Sequence, residues 1–201
     1  MAKQSNYETE VKLYVHDLNA VARQLEAVGA VLTAPRVLET NVRYDNAAGG
    51  FNESGTVLRL RQDSRARLTY KDGERVAGEF GSTRFEAEVE VSDFETMEII
   101  LSCLGYYPAW RYEKFRTTYE LDDCEIVLDE LPFGDFIEIE GEDAAIGQMI
   151  AKLEVGYAPR FTSSYSTLFK TVRSRLDLPF DDLTFINFEG LEVPFSALQT
   201  R

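Results

Sequence analysis

The chain has 201 residues, of which 44% are hydrophobic and 12% aromatic, enough to bury a core in one large domain or two small ones. Its 35 acidic residues outnumber its 21 basic ones, for a formal charge of −14. That balance excludes nucleic-acid binding as the main role, because neutralising phosphates takes a basic surface; it leaves room for a local basic pocket that takes a small polyanion. No run is long and apolar enough to span a membrane, and the opening MAKQSN lacks the apolar centre of a signal peptide. Cys103 and Cys124 match no metal spacing and read as free thiols of a cytoplasmic protein. His16 is the one histidine, so HExxH is impossible, and no GxxxxGK[ST] loop occurs. Any chemistry must run on carboxylates, lysines, arginines and a metal.

The first strand is expected over Tyr7 to Val15, reading YETEVKLYV. Side chains on a strand alternate faces, so Glu8, Glu10, Lys12 and Tyr14 share one side and Val11, Leu13 and Val15 the other. Asp17 can cap a helix from about Leu18 to Val28, with Gly29 suited to its end. Pro35 is expected to break the chain before a second strand, about Val37 to Asp45. Asn46 to Gly55 is polar and glycine-rich and reads as a loop. Thr56 to Gln62 is the third strand, with Arg59 and Arg61 opposite Leu58 and Leu60. Arg65 to Lys71 is the fourth, with Lys71 at its end, and Val76 to Thr83 looks like a mobile connection.

Arg84 to Val91 alternates most strictly: Arg84, Glu86, Glu88 and Glu90 against Phe85, Ala87, Val89 and Val91. Asp93 then caps a helix ending at Gly105, with Phe94, Met97, Ile100, Leu101 and Leu104 on its core side. Trp110 to Leu121 places Lys114 and Arg116 on one face. Glu125 to Glu130 and Phe136 to Glu140 read as a hairpin about Leu131-Pro132-Phe133-Gly134, carrying Asp129 on one arm and Glu138 and Glu140 on the other. Helices are expected from about Asp143 to Leu153 and Ser164 to Arg173, followed by a tail packed on the outside. About eight strands with short connections and a few helices predict one α+β domain.

The charged faces are segregated by sign, with carboxylates on some strands and bases on others. If the sheet closes with these faces inward, the interior becomes a polar tunnel, and the apolar faces point out toward the amphipathic helices. Buried charges must be paired or bind an ion, so such a tunnel calls for a ligand that bridges both sets. Arginine and lysine bind phosphate oxygens, and clustered carboxylates bind Mg²⁺ or Mn²⁺, which also take substrate phosphates. A polyphosphate with its metal satisfies both.

The ordered series resembles the CYTH family, the triphosphate tunnel metalloenzymes. Its ExExK signature is similar to Glu8, Glu10 and Lys12, its paired arginines to Arg59 and Arg61, and its strand lysine to Lys71. The RxExExE strand matches Arg84, Glu86, Glu88 and Glu90; KxR matches Lys114 and Arg116; the late aspartate matches Asp129; and the ExE pair matches Glu138 and Glu140. The SYxxL helix is similar to Ser164, Tyr165 and Leu168, with Lys170 nearby. Arg65 and Arg67 carry no counterpart and read as a solvated strand end.

The resemblance implies an eight-stranded antiparallel β-barrel with helices packed outside, a CYTH domain over residues 1–172 and a tail over 173–201. It implies a metal-dependent triphosphatase, with a class IV adenylate cyclase as the alternative and a non-catalytic polyphosphate-binding module as the second. Glu8, Glu10 and Glu140 would hold one Mg²⁺ or Mn²⁺, with Asp129 and Glu138 near a second. Lys12, Arg59, Arg61, Lys71, Arg84, Lys114, Arg116 and Lys170 would face the phosphates, and Glu86, Glu88 and Glu90 would orient the bases. The implied partner is a triphosphate-containing small molecule, with no nucleic acid or membrane and a homodimer left open. Glu10→Ala is expected to remove activity while leaving the fold intact or slightly more stable.

Overall fold

The computed structural model describes residues 6–161 and 163–199; the MAKQS that opens the chain lies outside them. Ten strands form one antiparallel sheet: β1 (Tyr7–Val15), β2 (Val31–Asn46), β3 (Val57–Gln62), β4 (Ala66–Lys71), β5 (Val76–Ala77), β6 (Ser82–Val91), β7 (Tyr106–Leu121), β8 (Cys124–Leu131), β9 (Gly134–Glu140) and β10 (Arg160–Phe161). Eight of them close a ring in the order β1-β9-β8-β7-β2-β3-β4-β6, because β6 returns to pair with β1 from Tyr7↔Phe85 to Glu10↔Ser82. The short β5 and β10 add to β6 and β1. Closure removes the exposed edges of an open sheet.

The helices are α1 (Leu18–Ala27), α2 (Gly50–Ser54), α3 (Phe94–Cys103), α4 (Asp143–Lys152) and α5 (Tyr165–Leu176). Asp17 caps α1 by accepting from the Ala20 amide at 2.9 Å, and Asp93 caps α3 from Thr96 at 2.7 Å. Gly29 and Gly105 follow α1 and α3 at φ +87°, a conformation other residues resist. The outward strand faces bury under α1 and α4, where Leu13, Ile126, Ile137 and Ile139 meet Leu25, Ile146 and Ile150. These side chains are fully or almost fully buried, and each contributes on the order of 2 kcal/mol of transfer free energy.

A second cluster lies at one end of the ring. Tyr14 and Phe136, on the same strand faces as Lys12 and Glu138, pack with Tyr165 and Phe169 of α5. The Phe136 and Tyr165 rings meet edge-on at 5.2 Å, so α5 lies across that end. Residues 178–198 cover α5 through Leu183, Phe188 and Leu198.

Four elements differ from the sequence expectation. Pro35 does not break the second strand: β2 already runs from Val31, and its register against β7 shifts between Ala34 and Val37, a bulge that absorbs a residue with no amide to donate. Residues 46–55 contain a short helix between Gly49 and Gly55, both left-handed. Residues 76–83 form β5, a tight turn and the start of β6. In α3 only Leu101 is buried, whereas Ile100 and Leu104 are exposed, because α3 lies over the small Val42, Tyr44 and Leu60 cluster at the rim.

Candidate functional site

The inward strand faces line a cavity of about 550 Å³. Its walls carry eleven lysines and arginines and nine aspartates and glutamates, so the cavity is net positive in a chain of charge −14. Register sets the arrangement. Glu8 lies opposite Arg84, Lys12 opposite Glu138, Glu10 opposite Glu140, Arg59 opposite Thr69, and Arg61 opposite Arg67.

Near the α5 end, cations and carboxylates are locked together. Lys12 Nζ stands 2.6 Å from Glu138 and 4.6 Å from the centre of the Tyr165 ring. Asp129 is 0% exposed and accepts from Lys114 Nζ at 2.8 Å, from Arg116 Nε and Nη2 at 2.7 Å each, and from the Tyr165 hydroxyl at 3.0 Å. Arg116 also donates to Glu138 at 2.7 Å. Burial alone would lower Lys12 and raise Glu138, but their mutual attraction wins: Lys12 is raised and Glu138 is held well below the usual carboxylate range.

Glu39 was missed by the sequence reading. It is 0% exposed and accepts from Asn41 at 2.9 Å and Arg61 at 3.1 Å, with Lys114 at 3.6 Å and Arg116 at 3.8 Å. Burial would raise its carboxyl; the three cations and Arg59 hold it far below. The signal was present, since Glu39, Asn41 and Arg43 alternate with Leu38, Thr40 and Val42 on a strand already foreseen.

Along the opposite wall the bases are less committed. Arg59 donates to the Tyr112 hydroxyl at 3.1 Å and to Thr69 at 3.2 Å, with Glu88 3.8 Å away. Arg43 reaches Ser166 and the Thr56 carbonyl rather than a carboxylate. The Nε of Arg59 and of Arg61 are buried without a hydrogen-bond partner. Burial lowers Arg43 and Arg84, and neighbouring guanidinium groups lower them further. Such donors, crowded and unmatched, suit an anion.

The remaining wall crowds carboxylates. Burial, a hydrogen bond with Glu86 and the charges of Glu86 and Glu140 push Glu8 up to about 9. Burial and the charges of Glu125, Glu10 and Glu86 push Glu140 up to about 7. Glu10 behaves oppositely: burial would raise it, but Lys12, Lys71 and Arg84 bring it to about 2. Lys71 pairs with Glu86, and Arg75 lies 3.7 Å from Glu10.

Among the described residues no group of three or more His, Cys, Asp or Glu is placed to hold a metal unaided. Glu8, Glu10 and Glu140 nevertheless fit a hard divalent cation in donor type and in charge, since two of the three are driven toward protonation by their neighbours. Asp129 and Glu138 do not fit a second ion, because lysine, arginine and tyrosine donors already engage them.

Of the expected residues, most come together here. Glu8, Glu10, Lys12, Arg59, Arg61, Lys71, Arg84, Glu86, Glu88, Lys114, Arg116, Glu138 and Glu140 all line the cavity. Glu86 pairs with Lys71, and Glu88 accepts from Arg61 at 2.8 Å and from the Thr69 hydroxyl at 2.7 Å. Asp129 sits behind the wall rather than on it. Glu90 is outside the lining, paired at 3.1 Å with exposed Arg65, because the strand has reached the rim. Lys170 is exposed and also outside the lining, since its position on α5 faces away from buried Tyr165, Leu168 and Phe169. Arg67, expected to be solvated, turns inward to Asp63 and Glu88.

The fold is shared with solved structures. A candidate adenylate cyclase from Vibrio parahaemolyticus superimposes with a TM-score of 0.69 at 18% identity, covering 83% of this chain and 99% of that one. The PH1819 protein of Pyrococcus horikoshii gives 0.66 at 26% identity, covering 81% and 98%. A candidate adenylyl cyclase from Hippeastrum, described as having a dominant triphosphatase activity, gives 0.61 at 20%, covering 81% and 95%. The comparison with curated proteins finds no match. The sequence matches the CYTH domain over residues 6–154, from β1 through α4, which holds every cavity-lining strand. The match spans most of the chain, and the chain belongs to the CYTH family.

Proposed function

We propose that the protein hydrolyses a small triphosphate in this cavity with the help of Mg²⁺ or Mn²⁺. One observation carries the reading: a single cavity holds both guanidinium groups short of counter-charge and carboxylates that repel each other. A metal–triphosphate complex neutralises both halves at once, and neither a free anion nor a free cation does. Mg²⁺ commonly uses one or two carboxylates and completes its shell with phosphate oxygens and water.

Each residue then has a task. Lys12, Arg59, Arg61 and Arg84 bind phosphoryl oxygens and offset the charge that grows on them as the terminal phosphate transfers to water. Glu39, Asp129, Glu86 and Glu88 hold those cations and their neighbours in place beforehand, so little reorganisation is needed during the reaction. Burial and the charges of Glu86 and Glu140 push Glu8 up in the ligand-free protein, and a bound cation would favour its ionised form. Glu8, Glu10 and Glu140 would hold the ion, which when bound polarises phosphoryl oxygens and acidifies water. The aromatic packing of α5 on Tyr14 and Phe136 keeps bulk water from one end.

The alternative is cyclisation of ATP, favoured by the description of the Vibrio neighbour; the Hippeastrum protein is described with the opposite balance. The test is to incubate the protein with tripolyphosphate, thiamine triphosphate or ATP and Mg²⁺ or Mn²⁺, then separate the products. Phosphate release from tripolyphosphate that stops in excess EDTA is expected. Cyclic AMP and pyrophosphate as the dominant products from ATP would replace the reading with the cyclase. Binding without turnover of any of the three would leave a polyphosphate-binding module.

A further inference from the structure

The turn after β5 has the composition of a mobile loop, with Gly78, Glu79, Phe80 and Gly81, yet it is fastened at several amides. The Gly78 amide donates to the Gly81 carbonyl at 2.9 Å. Asp143, the first residue of α4, accepts from three successive amides: Glu79 at 3.0 Å, Phe80 at 3.1 Å and Gly81 at 2.9 Å. A Cβ at Gly78 would come within 2.5 Å of the Asp143 carboxylate, and one at Gly147 within 2.7 Å of the Phe80 ring, so the turn fits against α4 only with glycine at both places.

We propose that Arg75 is a phosphate-binding residue of the cavity and that Asp143 is its positioning residue, acting through this turn; the inference rests on the triphosphate reading above. Pairing of Val76 and Ala77 with Thr83 and Ser82 carries the rigidity of the turn back to Arg75. Arg75 lines the cavity, donates from Nη1 to Ser82 Oγ at 3.2 Å, and has Glu10 as its nearest carboxylate at 3.7 Å. Among the described residues Arg84, opposite Glu8 in register, makes no ion pair; burial and the neighbouring charge of Arg75 lower it, and Glu10 and Glu86 offset part of that. Two guanidinium groups thus stand near Glu10, Arg75 with that carboxylate 3.7 Å away and neither in a short, direct ion pair. An anion with several oxygens can receive hydrogen bonds from both, which a single carboxylate 3.7 Å away does not. A residue serving only as a partner for Glu10 would not require its hairpin to be fastened to a helix at three amides.

The experiment is calorimetric titration of inorganic tripolyphosphate without metal, so that turnover plays no part. Arg75→Gln is expected to weaken binding roughly tenfold or more, the effect of losing a charge-assisted contact. Arg75→Lys should recover part of it. Asp143→Ala should weaken binding as well, and the Arg75→Gln/Asp143→Ala double variant should bind no worse than Arg75→Gln alone, because Asp143 acts only through Arg75. Asp143→Asn, which can still accept at one oxygen, guards against misfolding and should fall between wild type and Asp143→Ala. Equal binding by wild type and Arg75→Gln would overturn the inference while leaving the triphosphate reading in place. Additive losses in the double variant would overturn the positioning role of Asp143. The same titrations are repeated with Mg²⁺, and failure of the wild type to bind tripolyphosphate in both conditions would remove the reading on which both rest.

Discussion

Asp129→Asn separates two roles that sequence alone cannot tell apart. A metal ligand exchanged for its amide costs activity and leaves the fold standing. A buried counter-ion exchanged in the same way leaves its cations unpaired. The carboxylate has no exposure and engages Lys114, Arg116 twice and Tyr165, and Lys114 is itself only 2% exposed. Breaking a buried pair by removing one partner costs about 3–5 kcal/mol. The new amide keeps one oxygen as acceptor but turns a donor toward donors, so about 3 kcal/mol is a fair lower figure. For a chain of this size each kcal/mol moves Tm by roughly 2–4 °C, which gives a fall of roughly 6–12 °C. Thermal unfolding followed by circular dichroism reads this directly. Tripolyphosphate should return part of the loss, because its oxygens offer the freed cations a partner and ligand binding to the native state raises Tm. A Tm within about 2 °C of wild type, with activity lost and the Mg²⁺ requirement raised, would refute the counter-ion argument and make Asp129 a ligand.

Glu8→Gln should raise the Tm of the ligand-free protein at pH 7.5 while abolishing turnover, since Glu8 is pushed to about 9 by burial and by Glu86 and Glu140; a lower Tm would show that its neighbours do not repel it. Glu10→Ala, expected from the sequence to be neutral or stabilising, should instead lower Tm, because Lys12, Lys71 and Arg84 hold Glu10 near 2 against its burial and would lose their counter-charge; an unchanged melting curve would restore the earlier expectation. Asp135 is raised to about 6 by burial and by the charges of Glu130 and Asp17. Its folded value lies above the unfolded one, so its ionisation subtracts stability as pH climbs from about 4 through 6. Asp135→Asn should therefore gain Tm at pH 7.5 and gain little at pH 4, and an equal gain at both would assign the effect to packing.

The ring was legible because period-two alternation places most charges of a strand on one side. YETEVKLYV and RFEAEVEV each carry a charged and an apolar face, and helices with apolar stripes were available to cover the second. Strand ends were not legible where the signal conflicts. Pro35 reads as a breaker, yet a bulge in β2 lets the strand continue on either side of it. The turn at Gly78 to Gly81 reads as loose, since composition carries no trace of an aspartate 62 to 64 residues later that fastens it.

The site was legible as a set of charges but not as a set of partnerships, and the difference follows from what a strand pattern encodes. Alternation says which side a group faces; it does not say how deep along the tunnel the group sits, or what stands across from it. Asp129 and Glu140 look alike in sequence, each a carboxylate on an inward face. In space Asp129 meets Lys114, Arg116 and Tyr165, whereas Glu140 meets Glu10 and Glu125 across two strand pairings. One is satisfied by the protein and the other is left for a ligand. Glu39 shows the converse: a lone glutamate among neutral neighbours in sequence, it becomes the common anion of Arg61, Lys114 and Arg116 only when β2 lies between β3 and β7. The difference between carboxylates engaged by the protein and carboxylates that face one another is thus a property of register around a closed ring, which a catalogue of charged residues does not contain.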